Sequence, residues 1–292
     1  MLKNAFIVAL TVGLVGFGNI SNGYEDATKK IVVICFDDGY YSVYKYAYPI
    51  LKRYQVPMTL AVITSYLSKS NQVRKYASEY QFMSQGEIKE MIEQLDIEVA
   101  SHSVSHPDLT KLPHEKAISE LRQSKAILDS LFKQETITFV YPYGAVNRKV
   151  IELTKRENYK LGRSVRWGQV NLWVDRYLLP VKEVRNTTTV DEVVRYINNN
   201  DITILLFHRL SRAPMVFTEW SVDKFNRLID TLSANEKIEF LTLRDLYQKW
   251  WQEMMVRFIK DKGWLETDYL INDLFNKIDI DNTRTFNSSI IK

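Results

Sequence analysis

Two neighbouring carboxylates, Asp37 and Asp38, end the apolar run Ile31-Val32-Val33-Ile34-Cys35-Phe36 and are followed by Gly39. If that run is a buried strand, two like charges lie side by side at its end, which is unfavourable unless a cation sits between them or solvent screens them. A solvated Asp-Asp-Gly turn is the plain alternative. The chain has four histidines, and three of them also follow apolar runs. His102 and His106 leave the run Ile97-Glu98-Val99-Ala100-Ser101 four residues apart, a spacing that brings both rings to one side of a helix-like turn. Pro107 disfavours helical geometry at His106, so a single turn closing over the strand end is expected rather than a helix. His208 follows Ile204-Leu205-Leu206-Phe207, and alone would read as a satisfied core histidine.

Two neutral imidazoles and one carboxylate make a three-ligand set for Zn²⁺, with a position left open for water or substrate. Co²⁺ and Ni²⁺ suit the same mixed nitrogen and oxygen donors. Without a third ligand, the histidine pair would equally be two exposed loop residues. A further run, Phe139-Val140-Tyr141-Pro142-Tyr143-Gly144, leads a strand into a turn with aromatic walls. Turn chemistry by itself accounts for Pro142 and Gly144. The sequence contains no Gly-x-Ser-x-Gly run of the kind that presents a nucleophilic serine.

These groups need elements that bring distant positions together. Short apolar runs alternate with helical patterns, the sequence form of βαβ units feeding a parallel sheet or barrel. Strands are expected at residues 31–36, 58–63, 97–101, 137–141, 159–164 and 202–207, with another at 238–242. Capping boxes at Ser84 with Glu87 and at Thr189 with Glu192 start two helices, and residues 114–132 carry apolar positions near a 3.6-residue period. Parallel α/β folds place their sites at strand ends, where three of the histidines fall. Trp250, Trp251, Met254, Met255, Phe258 and Ile259 recur at helical spacing and predict a final helix packed on the domain.

Lys3, an apolar run from Ala5 to Phe17 and small or polar residues after it have the form of a secretory signal peptide over residues 1–23. The run is too short for a stable membrane span. A catalytic domain is then expected over residues 24–250 and a helical extension and tail over 251–292. Export permits disulfides, but Cys35 is the single cysteine and reads as a small buried strand residue. The net charge of +4, with no basic run carrying interleaved aromatics, argues against nucleic acid. Near Asp279 the tail resembles a calcium loop, but Arg284 and Ile290 stand where the turn glycine and the bidentate glutamate belong. Nothing in the sequence fixes the oligomeric state.

Taken together and in this order, the four elements resemble the polysaccharide deacetylase family, also called the NodB homology domain or carbohydrate esterase family 4, from about Lys30 to about Tyr247. The resemblance implies an α/β fold, a distorted (β/α) barrel of about seven parallel strands with outer helices. It implies Asp37 as general base, Asp38, His102 and His106 as metal ligands, and His208 as general acid. Leu206 would line the pocket for the acetyl methyl, and Pro142 and Tyr143 would form the aromatic turn whose tyrosine N–H helps to bind the oxyanion. The implied substrate is an acetylated glycan, N-acetylated or O-acetylated.

The chain departs from the family pattern at three places. Cys35 replaces a threonine. Val140 stands where many members carry an arginine that orients the catalytic aspartate, and Arg163 or Arg166 is the expected substitute. The Asp and Trp element that tunes the acid histidine has no clean match, leaving Trp167, Trp173 and Asp175 as candidates. A relative of the same fold that binds glycans without turnover is the alternative reading, and its support is the absent arginine.

Overall fold

Strand runs buried on both faces are what a closed parallel barrel requires, because helices cover the outside and side chains fill the inside. In the computed structural model, which describes residues 29–70, 78–171 and 174–249, β1 (Lys30–Phe36) shows this directly. Val32, Ile34 and Phe36 pack outward under the helices, while Ile31, Val33 and Cys35 pack inward with Leu179, Ile204 and Leu206. The ring continues through β2 (Met58–Val62), β3 (Ile97–Ser101), β4 (Thr138–Val140), β5 (Leu161–Trp167), β6 (Leu179–Glu183) and β7 (Ile202–Phe207), and β7 pairs back onto β1. Every one of these pairings is parallel. The fold is a distorted (β/α) barrel.

Around the ring run α1 (Tyr48–Tyr54), α2 (Gln85–Gln94), α3 (His114–Phe132), α4 (Arg148–Arg156), α5 (Val190–Asn198) and α6 (Val222–Ser233). Both expected capping boxes form, at Ser84 and Thr189. A small parallel pair, β8 (Arg209–Ser211) and β9 (Glu219–Ser221), follows β7. No helix among the described residues is long and apolar enough to cross a membrane.

The strand count matches the expectation of seven, but the membership differs. The expected strand at 238–242 is β10 (Ile238–Leu241), and it lies outside the closed ring. It pairs with Lys30–Val33 of β1, whereas β2 pairs with Cys35 and Phe36. The ring is thus splayed at one seam, and β10 occupies the gap. The seventh ring strand is β6, Leu179-Pro180-Val181-Lys182-Glu183, which no periodicity announces. A proline argues against a ladder position, and the β5–β6 register is irregular between Arg163 and Trp167. The strand expected at 159–164 starts at Leu161 and runs on to Trp167. Tyr159 lies before it, and its hydroxyl donates to the Leu121 carbonyl at 2.8 Å.

Inside the barrel the side chains form layers. Near the floor, Glu98 is fully enclosed and accepts hydrogen bonds from Thr59 (2.9 Å), Thr138 (2.5 Å) and the Arg244 N–H (2.8 Å). The Arg244 contact sits at the start of the helical segment 243–249, whose Leu243 and Leu246 close the barrel bottom. Above it Ala61, Ala100 and Val140 make a layer of small side chains. That layer leaves volume inside the ring for one large polar group, directly beneath the strand ends. The predicted signal peptide and the C-terminal helix lie outside the described residues.

Candidate active site

The chain leaves β1 through two left-handed residues, Asp38 (φ 71°) and Gly39 (φ 79°). The Asp37 N–H still donates to the Phe207 carbonyl at 2.9 Å, so Asp37 remains in the β1–β7 ladder. Reversal at Asp38 then sends the adjacent carboxylates to different partners. Asp37 receives a hydrogen bond from the Arg163 guanidinium, and Asp38 turns to the two imidazoles. The like-charge problem is solved by separation rather than by one shared cation.

Arg163 is fully buried and fills the volume above the small layer. It is the register partner of Val140 across the β4–β5 ladder. Partners in register share a sheet face, so the guanidinium expected on β4 is delivered from one strand further round. Burial alone would raise the Asp37 pKa, but Arg163, with His102 and His208 nearby, outweighs it and holds the carboxyl below its ordinary range. Arg166 is exposed, and its side chain takes no part in the pair.

After β3, His102 keeps its backbone in the ladder, with its N–H on the Val62 carbonyl at 2.9 Å. Its Nδ1 lies 2.8 Å from the Val140 carbonyl. A carbonyl can only accept, so Nδ1 carries the proton and Nε2 keeps its lone pair for a ligand. The loop then reverses through Ser103 (φ 68°) and reaches His106 (φ 60°), whose N–H donates to Ser103 Oγ at 2.8 Å. The turn is closed by a side chain and is not helical, in keeping with Pro107. Glu120 of α3 clamps it from outside, accepting from Val104 N–H (2.8 Å), Ser105 N–H (2.9 Å) and Ser105 Oγ (2.7 Å). Sequence reasoning missed Glu120, because no local pattern ties a helical glutamate to a loop so far upstream.

The outcome is a triangle of donor atoms. His102 Nε2 and His106 Nε2 are 3.1 Å apart, and Asp38 Oδ1 lies 3.5 Å from the first and 3.6 Å from the second. A point equidistant from all three is about 2.0 Å from each, matching Zn–N and Zn–O distances of roughly 2.0–2.2 Å. These are the atoms among the described residues that meet as a metal-ligand group. Burial, reinforced by His102, pushes the His106 pKa down to about 4, so its imidazole is neutral near pH 7. Asp38 is held below its ordinary range: burial raises its pKa, and contact with His102 more than reverses this. Two neutral imidazoles and a carboxylate fit a borderline divalent ion.

One wall of the site is the turn after β4. Pro142 is buried, and Tyr143 (φ 59°) is 68% exposed with its ring edge-to-face on His106 at 4.5 Å. Gly144 (φ 65°) completes the turn against β5, where an added Cβ would lie 2.2 Å from Val165 Cγ2 and 2.8 Å from the Val165 backbone nitrogen. Gly144→Ala is therefore expected to cost about 2–4 kcal/mol, combining left-handed strain with overpacking. Denaturant melts would show the loss. Of the non-glycine residues with positive φ among those described, Gln55, Lys133 and Asn158 end helices, while Asp38, Ser103, His106 and Tyr143 all lie at this site. Backbone strain concentrated this way is a mark of function.

His208 follows β7 and is half-buried, close enough to lower the pKa of both aspartates. Its buried Nδ1 has no hydrogen-bond partner among the described residues. Asp175, a candidate for that partner, is exposed and caps the turn before β6, accepting from the Tyr177 N–H at 2.8 Å. It precedes β6 and so lies at the opposite end of the strands from His208. Trp167 is 76% exposed, and its ring contact is with Tyr196 of α5. Trp173 lies outside the described residues. Leu206 is fully buried inside the barrel, in register with Cys35. Burial holds the Cys35 thiol well above its ordinary pKa, so it is an inert wall.

Residues 24–162 match the family model described as polysaccharide deacetylase. Over this segment the chain is similar to the polysaccharide deacetylase family. The family match takes in both aspartates, His102, His106 and the aromatic turn, whereas Arg163, Leu206 and His208 fall beyond it. A poly-beta-1,6-N-acetyl-D-glucosamine N-deacetylase of Staphylococcus aureus (strain MRSA252) is 30% identical over 160 residues, 52% of this chain and 53% of that protein. The chain spans about half the length of the curated relatives it matches. Among solved structures, the Streptococcus pyogenes deacetylase PplD in complex with acetate is 29% identical, with a TM-score of 0.52 over 59% of this chain and 72% of that one. A family 4 acetyl xylan esterase from Clostridium thermocellum in complex with a cobalt ion shares the fold, at 20% identity and a TM-score of 0.52 over 75% of this chain and 91% of that one.

Proposed function

We propose that the chain is an exported, divalent-metal-dependent hydrolase that removes acetyl groups from a polysaccharide, with N-acetylated glucosamine polymers as the first substrate class to test. The observation that supports this most is the meeting of Asp38, His102 and His106 at ligand spacing beside a second, buried carboxylate that has its own guanidinium. The Staphylococcus aureus relative directs attention to β-1,6-linked N-acetylglucosamine; chitin-like oligomers, peptidoglycan and O-acetylated xylan are further members of the class.

Asp38, His102 and His106 would hold the ion, which when bound supplies Lewis acidity, lowering the pKa of water toward about 7. Such acidity is what a base as weak as Asp37 requires, because proton transfer is efficient only when the partners' pKa values are close. Arg163 engages Asp37 Oδ1, and Oδ2 takes the proton as water adds to the acetyl carbonyl. The Tyr143 backbone N–H would face the carbonyl oxygen as negative charge builds there; losing such a donor typically costs about 10²–10³ in rate. Protonated His208 would then give its proton to the departing amine nitrogen, and acetate and a free amino sugar result. Nothing in this sequence needs a covalent intermediate. Arg163 gives Asp37 an orienting cation, and this supports the catalytic reading over that of a binding relative without turnover.

Acetate release should be measured after metal loading, with acetylated chito-oligosaccharides, β-1,6-linked poly-N-acetylglucosamine, peptidoglycan and acetylxylan. His102→Ala is expected to weaken metal binding by more than the roughly 10–100-fold that loss of an outer partner costs, and to abolish turnover. A loaded wild type inert on every substrate, together with undiminished metal binding by His102→Ala, sinks the reading. Export rests on the charged and apolar N-terminal pattern, and N-terminal sequencing of the mature protein should begin near residue 24.

A further inference from the structure

We propose that Tyr66, Phe82, Tyr40, Arg209 and Tyr80 form a stacking wall for the pyranose rings that flank the sugar being deacetylated, a subsite that rests on the glycan reading above. The five side chains make one continuous run of contacts, in which the Tyr66 ring is tilted 43° to Phe82. Tyr66 and Phe82 have ring centroids 4.7 Å apart, and Phe82 and Tyr40 lie 4.9 Å apart with planes only 18° from parallel. The Arg209 guanidinium then sits 5.0 Å from the Tyr40 ring and 4.9 Å from the Tyr80 ring, between the two. Its charge is answered by buried Glu219 at 3.2 Å, so its flat faces serve the stack.

Each part of the wall is fastened to a loop that carries a site residue. The turn before Tyr66 donates from Thr64 N–H to the Ser103 carbonyl (3.2 Å) and from Ser65 N–H to the Val104 carbonyl (2.9 Å), within the histidine loop. The segment bearing Tyr80 and Phe82 joins the aspartate turn through Met83 N–H on the Gly39 carbonyl (2.8 Å) and Tyr41 N–H on the Gln81 carbonyl (2.7 Å). Tyr40 is two residues from Asp38, and its backbone forms an antiparallel bridge with Phe82. Arg209 directly follows His208. The wall is therefore registered to the donor triangle from three sides.

Its two ends are open. Tyr66 is 44% exposed and Tyr80 51% exposed, while the middle of the stack is held between neighbours. The two exposed tyrosines leave aromatic surface open to solvent at the ends of the group. Rigid tyrosines offer broad contact area at little entropic cost and a polar tip that tolerates water. Electron-rich ring faces attract the positive C–H edges on the flat face of a pyranose, whose hydroxyl rim stays solvated. Tyr143, exposed with its ring on His106 at 4.5 Å, is a further aromatic surface at the donor triangle.

The test compares wild type, Tyr66→Ala, Tyr80→Ala, the double alanine variant and the corresponding phenylalanine variants. The probes are pentamers and dimers of β-1,4-linked and β-1,6-linked N-acetylglucosamine. In the double alanine variant the pentamer-over-dimer preference in kcat/KM should shrink about tenfold, chiefly through KM, and phenylalanine should restore it. Calorimetric titration of the metal-free proteins with the pentamers gives a readout that needs no turnover, and the same loss of affinity is expected. If wild type turns over the pentamer and the double alanine variant keeps both its length preference and its affinity, the wall is overturned and the deacetylase reading survives. If wild type binds the pentamer through these tyrosines but releases no acetate, the wall stands and the deacetylase reading falls. No binding and no turnover by folded wild type overturns both.

Discussion

Arg163→Met is expected to lose about 3–5 kcal/mol of folding stability at neutral pH, because it leaves Asp37 charged and unpaired inside the barrel. The side chain it removes is fully buried above a layer of small residues, and methionine offers no charge to Asp37 in its place. Adding Asp37→Asn to Arg163→Met removes the stranded charge and should recover much of the loss. A double-mutant cycle in denaturant would show a coupling well outside additivity. Near-additive effects would mean that the pair is not coupled as described.

The same pair sets a pH dependence whose sign can be checked. In wild type the folded pKa of Asp37 is depressed, so the pair stabilises the fold above the unfolded carboxylate value of about 3.9 and the benefit fades as pH falls through the lower folded value. In Arg163→Met burial loses its main opponent, and the folded pKa is expected to rise above the unfolded value. That variant should therefore become less stable as pH rises from about 4 to 7, opposite to wild type over the same carboxylate. Its activity should follow, with the acid limb of the rate profile moved to higher pH, since only ionised Asp37 can accept a proton.

Asp37→Asn by itself is expected to reduce acetate release by about 10²–10⁴-fold, the usual contribution of a positioned general base. Metal content should be retained, because the ligand atoms belong to Asp38, His102 and His106. Asp38→Asn should lose metal and activity together. The contrast matters because the two aspartates are adjacent and chemically identical, and only their partners differ. Equal metal loss in both variants would contradict the division of roles read from the geometry.

That division is a case in which sequence and structure contributed different things. The order of the motifs, the strand ends that carry them and the two capping boxes were legible locally, since buried strands, helix starts and turn residues are written in short runs. His102 and His106 could be paired from their spacing, and the family resemblance implied Asp38 as the carboxylate that joins them. Which aspartate meets the imidazoles depended on a left-handed residue at Asp38, which no propensity predicts for an aspartate following a strand. The proline-containing β6 carried no strand signal, because its place is set by neighbours on both sides of the ring and not by its own pattern.

What the sequence by itself determined is the set of reactive groups and the parallel α/β frame that puts strand ends at one face, for these follow from residue type and local period. What only the tertiary structure decided is who stands next to whom across the ring. Val140 and Arg163 are 23 positions apart yet register partners on one inward face, and closing the barrel brings Asp37 within reach of that guanidinium. Glu120 meets the histidine loop, and Arg209 meets Tyr40 and Tyr80, for the same reason. Contacts between strands and loops distant in sequence depend on shear and closure of the whole sheet, and no short stretch of chain encodes those.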